Sequence, residues 1–234
     1  MSQIENLLDI MASLRDQQTG CSWNREQDFA SIAPYTIEEA YEVADAIAKE
    51  DMTELCEELG DLLFQVVFHA QMATEIGAFD FDAVTVGICN KMIRRHPHVF
   101  GNETECTHGV VRDNWELIKI AEKAASSDVK VSVLDGIANS LPALKKAEKL
   151  GRRSASIGFD WPDKRGVRQK IDEELEELDT ALRAQETEQV TEELGDLLFS
   201  VVNLARHLHI DPEQALVNAN RKFEKRFRKM ECDI

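Results

Sequence analysis

The sequence predicts an all-α protein built from two tandem copies of one helical unit. Three observations carry this. Gly (11) and Pro (5) are sparse among 234 residues and aromatic residues are only 6%, a composition short of the turn residues that sandwiches and barrels need. Apolar residues recur at helical spacing through most of the chain. A long segment also repeats: residues 57–70 read EELGDLLFQVVFHA and residues 192–205 read EELGDLLFSVVNLA, identical at 11 of 14 positions with an offset of 135. Glu38, Glu39 and Glu42 recur at the same offset as Glu173, Glu174 and Glu177. Lys91 and Arg95 resemble Lys222 and Arg226, with the offset reduced by four. Two copies are too few for a solenoid.

In order along the chain, the periodicity predicts helices over 3–16, 36–49, 51–77, 80–95 and 110–125 in the first half. In the second half it predicts 141–152, 166–184, 187–208 and 211–231. Thr36 reads as an N-cap with Glu38 and Glu39 in the first turn. Asp211-Pro212 reads as another helix start, with Asp at the N-cap and Pro at the first helical position. Segment 125–140, with Ser126, Ser127, Asp128, Asp135 and Gly136, is the expected linker between an N-terminal domain, 1–124, and a C-terminal domain, 141–234. Residues 101–109 read as a polar loop and 151–166 as an irregular lead into the second unit.

Charge excludes several functions. With 44 acids against 27 bases the formal net charge is −17, which repels a nucleic-acid backbone at long range. No apolar run reaches the length of a membrane span. Met1 to Asp16 carries acids and lacks an apolar stretch, so no signal peptide is expected. The five Cys contain no C-x-x-C pair and read as reduced thiols, as in a cytoplasmic protein. P-loop, dinucleotide-binding and serine-hydrolase glycine motifs are absent from the sequence.

The acids themselves point to chemistry. Each copy carries E-E-x-x-E, 15 intervening residues, then E-x-x-D. Residues three apart share a helix face, and a short turn makes the two helices antiparallel neighbours. Glu39, Glu42, Glu58 and Asp61 then converge in the first copy, and Glu174, Glu177, Glu193 and Asp196 in the second. Leu194, Leu197, Leu198, Phe199, Val201 and Val202 imply that Glu193 and Asp196 stand among core residues, where acids need partners. Mg²⁺ suits such an oxygen set and keeps open positions for phosphate. Segment 221–229, RKFEKRFRK, concentrates bases in an acidic chain; Lys222 and Arg226 lie four apart on one face and can grip a phosphate.

With R-R-H-P-H-V-F at 94–100, F-E-K-R-F at 223–227, Gly20-Cys21-Ser22-Trp23 and Ile32-Ala33-Pro34-Tyr35-Thr36, the ordered set resembles the MazG family over nearly the whole chain. Here Ser22-Trp23-Asn24 stands where the family often has Pro-Trp-Asp, and relatives often continue past the position of Ile234 with a further helical stretch. The resemblance implies an all-α, dimeric, Mg²⁺-dependent enzyme that hydrolyses nucleoside or deoxynucleoside triphosphates to monophosphate and pyrophosphate with broad base tolerance. It implies Mg²⁺ on Glu174, Glu177, Glu193 and Asp196, phosphates on Lys222 and Arg226, and a supporting or water-positioning role for Glu173.

The second copy is the expected catalytic one. Asn203 lies seven residues after Asp196 and can hydrogen-bond a nucleotide, whereas the matching Phe68 would fill that space. Glu38, Glu39, Glu42, Glu58, Asp61, Lys91 and Arg95 then form a structural or regulatory copy. Glu173 or Glu192 is expected to orient or deprotonate the attacking water. Apolar sides of the helix pairs, Leu62–Phe64 and Leu197–Phe199, predict a homodimer whose second chain completes the bundles. The rival enzyme is a di-iron carboxylate bundle, disfavoured because Asp61 and Asp196 stand where His is required. The non-enzymatic rival is a nucleotide-sensing or adaptor protein that retains the metal site.

Overall fold

A computed structural model describes residues 2–101 and 132–231. These fall into two compact units, one in each segment, and the described residues contain helices and no strand. The N-terminal unit comprises α1 (Gln3–Leu14), α2 (Ser22–Glu26), α3 (Phe29–Lys49), α4 (Met52–Glu75), α5 (Phe81–Arg95) and α6 (Pro97–Phe100). The C-terminal unit comprises α7 (Ala143–Ala155), α8 (Lys164–Ala184), α9 (Thr187–His207) and α10 (Pro212–Glu231).

Each unit is organised on a pair of long antiparallel helices, α3 with α4 and α8 with α9. The turns between them match. Glu50 and Gln185, 135 residues apart, both end their helices in the left-handed conformation at φ 58° and 59°. That reversal frees the next residue to start the second helix two positions on. The buried stripes match as well. In α8 it runs Val167, Ile171, Glu174 and Ala181; in α3 Ile32 and Ala46 are buried at the corresponding positions. A glutamate therefore occupies a stripe position that packing alone would give to an apolar residue.

The N-terminal core gathers Met11, Ile32, Val67, Phe68 and Met72, with Leu7, Leu8, Phe64 and Phe81 against it. Arg15 closes one end. Its guanidinium forks onto Glu75 at 2.8 and 2.7 Å, donates to the carbonyls of Asn24 and Gln27, and lies 5.3 Å from the Phe68 ring centre. The pair with Glu75 holds that carboxyl below its ordinary range.

In the C-terminal unit Arg206 plays the comparable part. It pairs through both terminal nitrogens with Asp160, at 2.9 and 2.5 Å, and His207 adds a third contact at 3.1 Å. This ties the irregular segment before α8 to the end of α9. Arg153 ties the segment before α7 by donating to the carbonyls of Val133 and Asp135 at 3.0 and 2.6 Å. Residues 132–140, expected as linker, are thus attached to α7; the rest of that linker, the helix expected at 110–125 and most of the expected loop at 101–109 lie outside the described residues.

Several local expectations change. Thr36 is not an N-cap: α3 begins seven residues earlier, where Asp28 and Ser31 form a reciprocal capping box. Pro34 lies inside the helix, and the Thr36 hydroxyl instead meets His69 at 3.1 Å. Tertiary packing of Ile32 and the Asp28 cap outweigh the one backbone donor that proline removes. His96-Pro97-His98 forms a single helical turn with Pro97 at its start. Of the apolar residues of α9 expected in the core, Val202 is buried and Leu197 half-buried, but Leu194, Leu198, Phe199 and Val201 are exposed in one chain, Leu198 at 51%. Buried alongside Val202 are Ser200 and Asn203.

Candidate metal and nucleotide site

The turn at Gln185 brings the last half of α8 against the first half of α9, and the carboxylates meet across that seam. Glu174, Glu177 and Glu193 each place an oxygen within 4.8 Å of the others. Glu174 is 3% exposed. Asp196, three residues after Glu193, is exposed and outside that tight group, yet near enough that its charge bears on Glu193. Glu193 has a raised pKa: partial desolvation is the first cause, followed by the charges of Glu177, Glu174, Asp196 and Glu192.

The N-terminal copy repeats the arrangement with different membership. Glu39, Glu58 and Asp61 form the tight group there. Glu42 stands beside them, sharing a hydrogen bond with Glu39 and bearing on Glu58 by charge. Desolvation and these neighbours raise the pKa of both Glu39 and Glu58. Glu38, like Glu173 in the other copy, points outward as an exposed residue.

One atom tests whether a cation suits the C-terminal cluster. Glu174 Oε2 is buried and has no hydrogen-bond partner among the described residues. A buried carboxylate oxygen without a donor is costly, and a hard divalent cation is the ligand an all-oxygen set of this kind accommodates. The donor chemistry therefore fits Mg²⁺.

Lys170 was not singled out from the sequence. It lies one turn before Glu174 and pairs with Glu173 at 2.7 Å, Glu174 at 2.8 Å and Glu177 at 4.0 Å. The signal was available in the i, i+4 spacing of Lys170 and Glu174.

The basic residues lie on helices other than those of the acids. Lys222 and Arg226 are exposed on α10, a helix that packs on α7 and α9, and neither is tied to a described residue by an ion pair. Between them and beyond, Phe223 and Phe227 stack with ring centres 6.1 Å apart. Lys91 is exposed and Arg95 half-buried on α5.

Asn203 departs from the expectation that it faces a nucleotide. It is 5% exposed, and its Oδ1 accepts from Arg206 Nε at 2.8 Å. A Cβ at Gly151 would come within 3.1 Å of both atoms, so α7 passes close over this pair. Phe68 is likewise buried, in the N-terminal core. The difference between the copies at this position is one of internal packing: an apolar core in one, a hydrogen-bonded arginine in the other.

Comparisons with known proteins agree with the repeated architecture. The model of the MazG nucleotide pyrophosphohydrolase domain matches residues 27–100 and again 164–230. The chain is 52% identical over 233 residues to a nucleoside triphosphate pyrophosphohydrolase of Escherichia coli K12, covering 99% of this chain and 88% of that protein. It is 46% identical over 227 residues to the nucleoside triphosphate pyrophosphohydrolase/pyrophosphatase MazG of Thermotoga maritima, covering 97% and 85%. A nucleoside triphosphate pyrophosphohydrolase of Mycobacterium tuberculosis is 35% identical over 157 residues, covering 66% and 46%. No helix of the described residues is long and apolar enough to cross a membrane. With the carboxylate seam present twice and the domain matched twice, the chain belongs to the MazG nucleotide pyrophosphohydrolase family, a family of hydrolases.

Proposed function

We propose that this chain hydrolyses nucleoside and deoxynucleoside triphosphates between the α and β phosphates, with broad base tolerance, at the C-terminal copy and with Mg²⁺ as cofactor. The observation that carries the reading is the buried, unpartnered oxygen of Glu174 beside Glu177 and Glu193. Those three carboxylates, with Asp196 at the exposed rim, would hold the cation. When bound, Mg²⁺ supplies charge neutralisation of the phosphates and a water acidified toward neutral pH.

The protein's own groups divide the remaining work. Glu173 and Glu192 flank the cluster and lie outside the tight group, so a carboxylate of either can accept the proton of the attacking water. Lys222 and Arg226, unpaired on α10, offer an ammonium and a planar guanidinium to the phosphate oxygens, where negative charge grows as pyrophosphate leaves. Asn203 acts one layer back, holding Arg206 against Asp160. Leu194, Leu198, Phe199 and Val201 leave an apolar strip exposed along α9, which a second copy of the chain would cover in a homodimer. We read the protein as cytoplasmic, where its five cysteines, with no C-x-x-C pair among them, would remain reduced.

The experiment follows product formation by ³¹P NMR with Mg²⁺ and a panel of triphosphates. Monophosphate and pyrophosphate as first products support the reading, with Glu193→Gln abolishing turnover and Glu58→Gln retaining most of it. Orthophosphate as the first product would refute it, and loss of turnover in Glu58→Gln but not Glu193→Gln would move catalysis to the N-terminal copy.

A further inference from the structure

The C-terminal cluster already contains a cation. Lys170 Nζ lies 2.7 Å from Glu173, 2.8 Å from Glu174 and 4.0 Å from Glu177. Two of these acids belong to the tight carboxylate group, and the same Glu174 carries the unpartnered buried oxygen. Lys170 therefore sits where a divalent cation would be drawn, supplying one positive charge to a cluster of at least three negative ones. The N-terminal copy is built otherwise. At the matching position, 135 residues earlier, stands Tyr35, whose ring meets Trp23 edge-on with centres 6.0 Å apart. Glu39, the counterpart of Glu174, meets the amide of Gln65 at 3.4 Å and the carboxyl of Glu42, and no ammonium or guanidinium among the described residues is paired with it.

We propose that Lys170 is a tethered counter-ion: it holds the metal-free C-terminal carboxylates together, is displaced when a divalent cation binds, and so sets the metal affinity of that site below that of the N-terminal one. This rests on the metal reading proposed above. A lysine is a fitting device for the purpose. Its charge is too small to satisfy the cluster, and its four-carbon stem, about one-third exposed, can swing the ammonium into water. A divalent cation wins the site by its greater charge, but must first break the three lysine contacts. The N-terminal cluster demands no such exchange.

The test is calorimetric titration of the metal-free full chain with Mg²⁺ alone, without nucleotide. A Glu58→Gln background silences the N-terminal cluster. There, Lys170→Met is expected to tighten Mg²⁺ binding about tenfold or more, the low end of what a unit charge exerts at this separation. Lys170→Arg, which keeps the charge, is expected to bind as weakly as its parent. Conversely, Tyr35→Lys in a Glu193→Gln background is expected to weaken the N-terminal site by a similar factor. Binding by Lys170→Met within about twofold of its parent overturns the proposal, and Lys170→Gln provides the same reading if the Met variant folds poorly by circular dichroism. Absence of Mg²⁺ binding in the unsubstituted chain instead overturns the metal reading itself.

Discussion

Replacing Glu174 by Gln keeps the shape of a side chain that is 3% exposed and removes one charge from a group whose oxygens lie within 4.8 Å of one another. At that range a pair of unit charges repels by roughly 0.9 kcal/mol in water and roughly 3.5 kcal/mol at an effective dielectric of 20. Glu174 faces two such neighbours, Glu177 and Glu193, and is offset by one lysine 2.8 Å away that is itself about one-third exposed. Solvent screening puts that attraction near the lower end. Neutralising Glu174 thus removes two repulsions and one closer attraction that offsets most of them, and the metal-free protein is expected to gain about 1 kcal/mol. With Mg²⁺ the sign reverses. Loss of one carboxylate from the group is expected to weaken binding by at least about 2 kcal/mol, roughly thirtyfold. Thermal melts near pH 7.5, with EDTA and then with millimolar Mg²⁺, read both effects on one sample. A variant that melts lower without metal yet keeps the full Mg²⁺-induced shift would refute the reasoning, because Glu174 would then be an ordinary ion-pair partner of Lys170.

Two further outcomes follow from the same structure. Glu39, Glu58 and Glu193 have raised pKa values in the folded chain, so the folded state holds protons that the unfolded state releases; the stability they contribute at low pH is lost as pH rises through the raised values. Mg²⁺ must displace those protons, so the Mg²⁺-induced rise in melting temperature is expected to grow from about pH 5 to about pH 7.5. His69, whose pKa burial lowers, acts oppositely by losing stability as pH falls below the ordinary His range, but equally with and without metal, so it cancels from the difference. A shift independent of pH would contradict the account. At the other end of α9, Arg206→Met strands Asp160, a carboxylate 21% exposed beside a guanidinium 11% exposed. With His207 as the remaining partner, the expected cost in denaturant unfolding is about 2 kcal/mol; less than about 0.5 kcal/mol would mean the pair behaves as a surface salt bridge.

The repeat made the main features of the fold legible. An offset of 135 residues holds for the carboxylates, the buried stripes and even the left-handed turn residues Glu50 and Gln185. What the sequence concealed has physical causes. Thr36 with Glu38 and Glu39 after it has the residue types of a helix start, but Asp28 and Ser31 cap the helix earlier and the burial of Ile32 holds it in place. Periodicity alone could not tell an apolar face that meets its own core from one left open, so Leu194, Leu198 and Phe199 read as core although they are exposed in the single chain. Asn203 shows the limit of face arithmetic. Seven residues do put it near the azimuth of Asp196, but almost two turns further along α9 the neighbour is α7, and Arg206 takes the amide oxygen. Lys170 is not legible because its i, i+4 spacing to Glu174 marks an exposed helix-surface pair as readily as one at a buried carboxylate.

The most direct measurement is the anomalous difference map of a crystal of the full chain grown with Mn²⁺ in place of Mg²⁺ and a non-hydrolysable triphosphate. The account requires a peak ligated by Glu174 Oε2 together with Glu177 and Glu193, with the Lys170 ammonium moved off Glu174. A map with no peak there, Lys170 still seated on Glu174 and the triphosphate bound elsewhere, would contradict it.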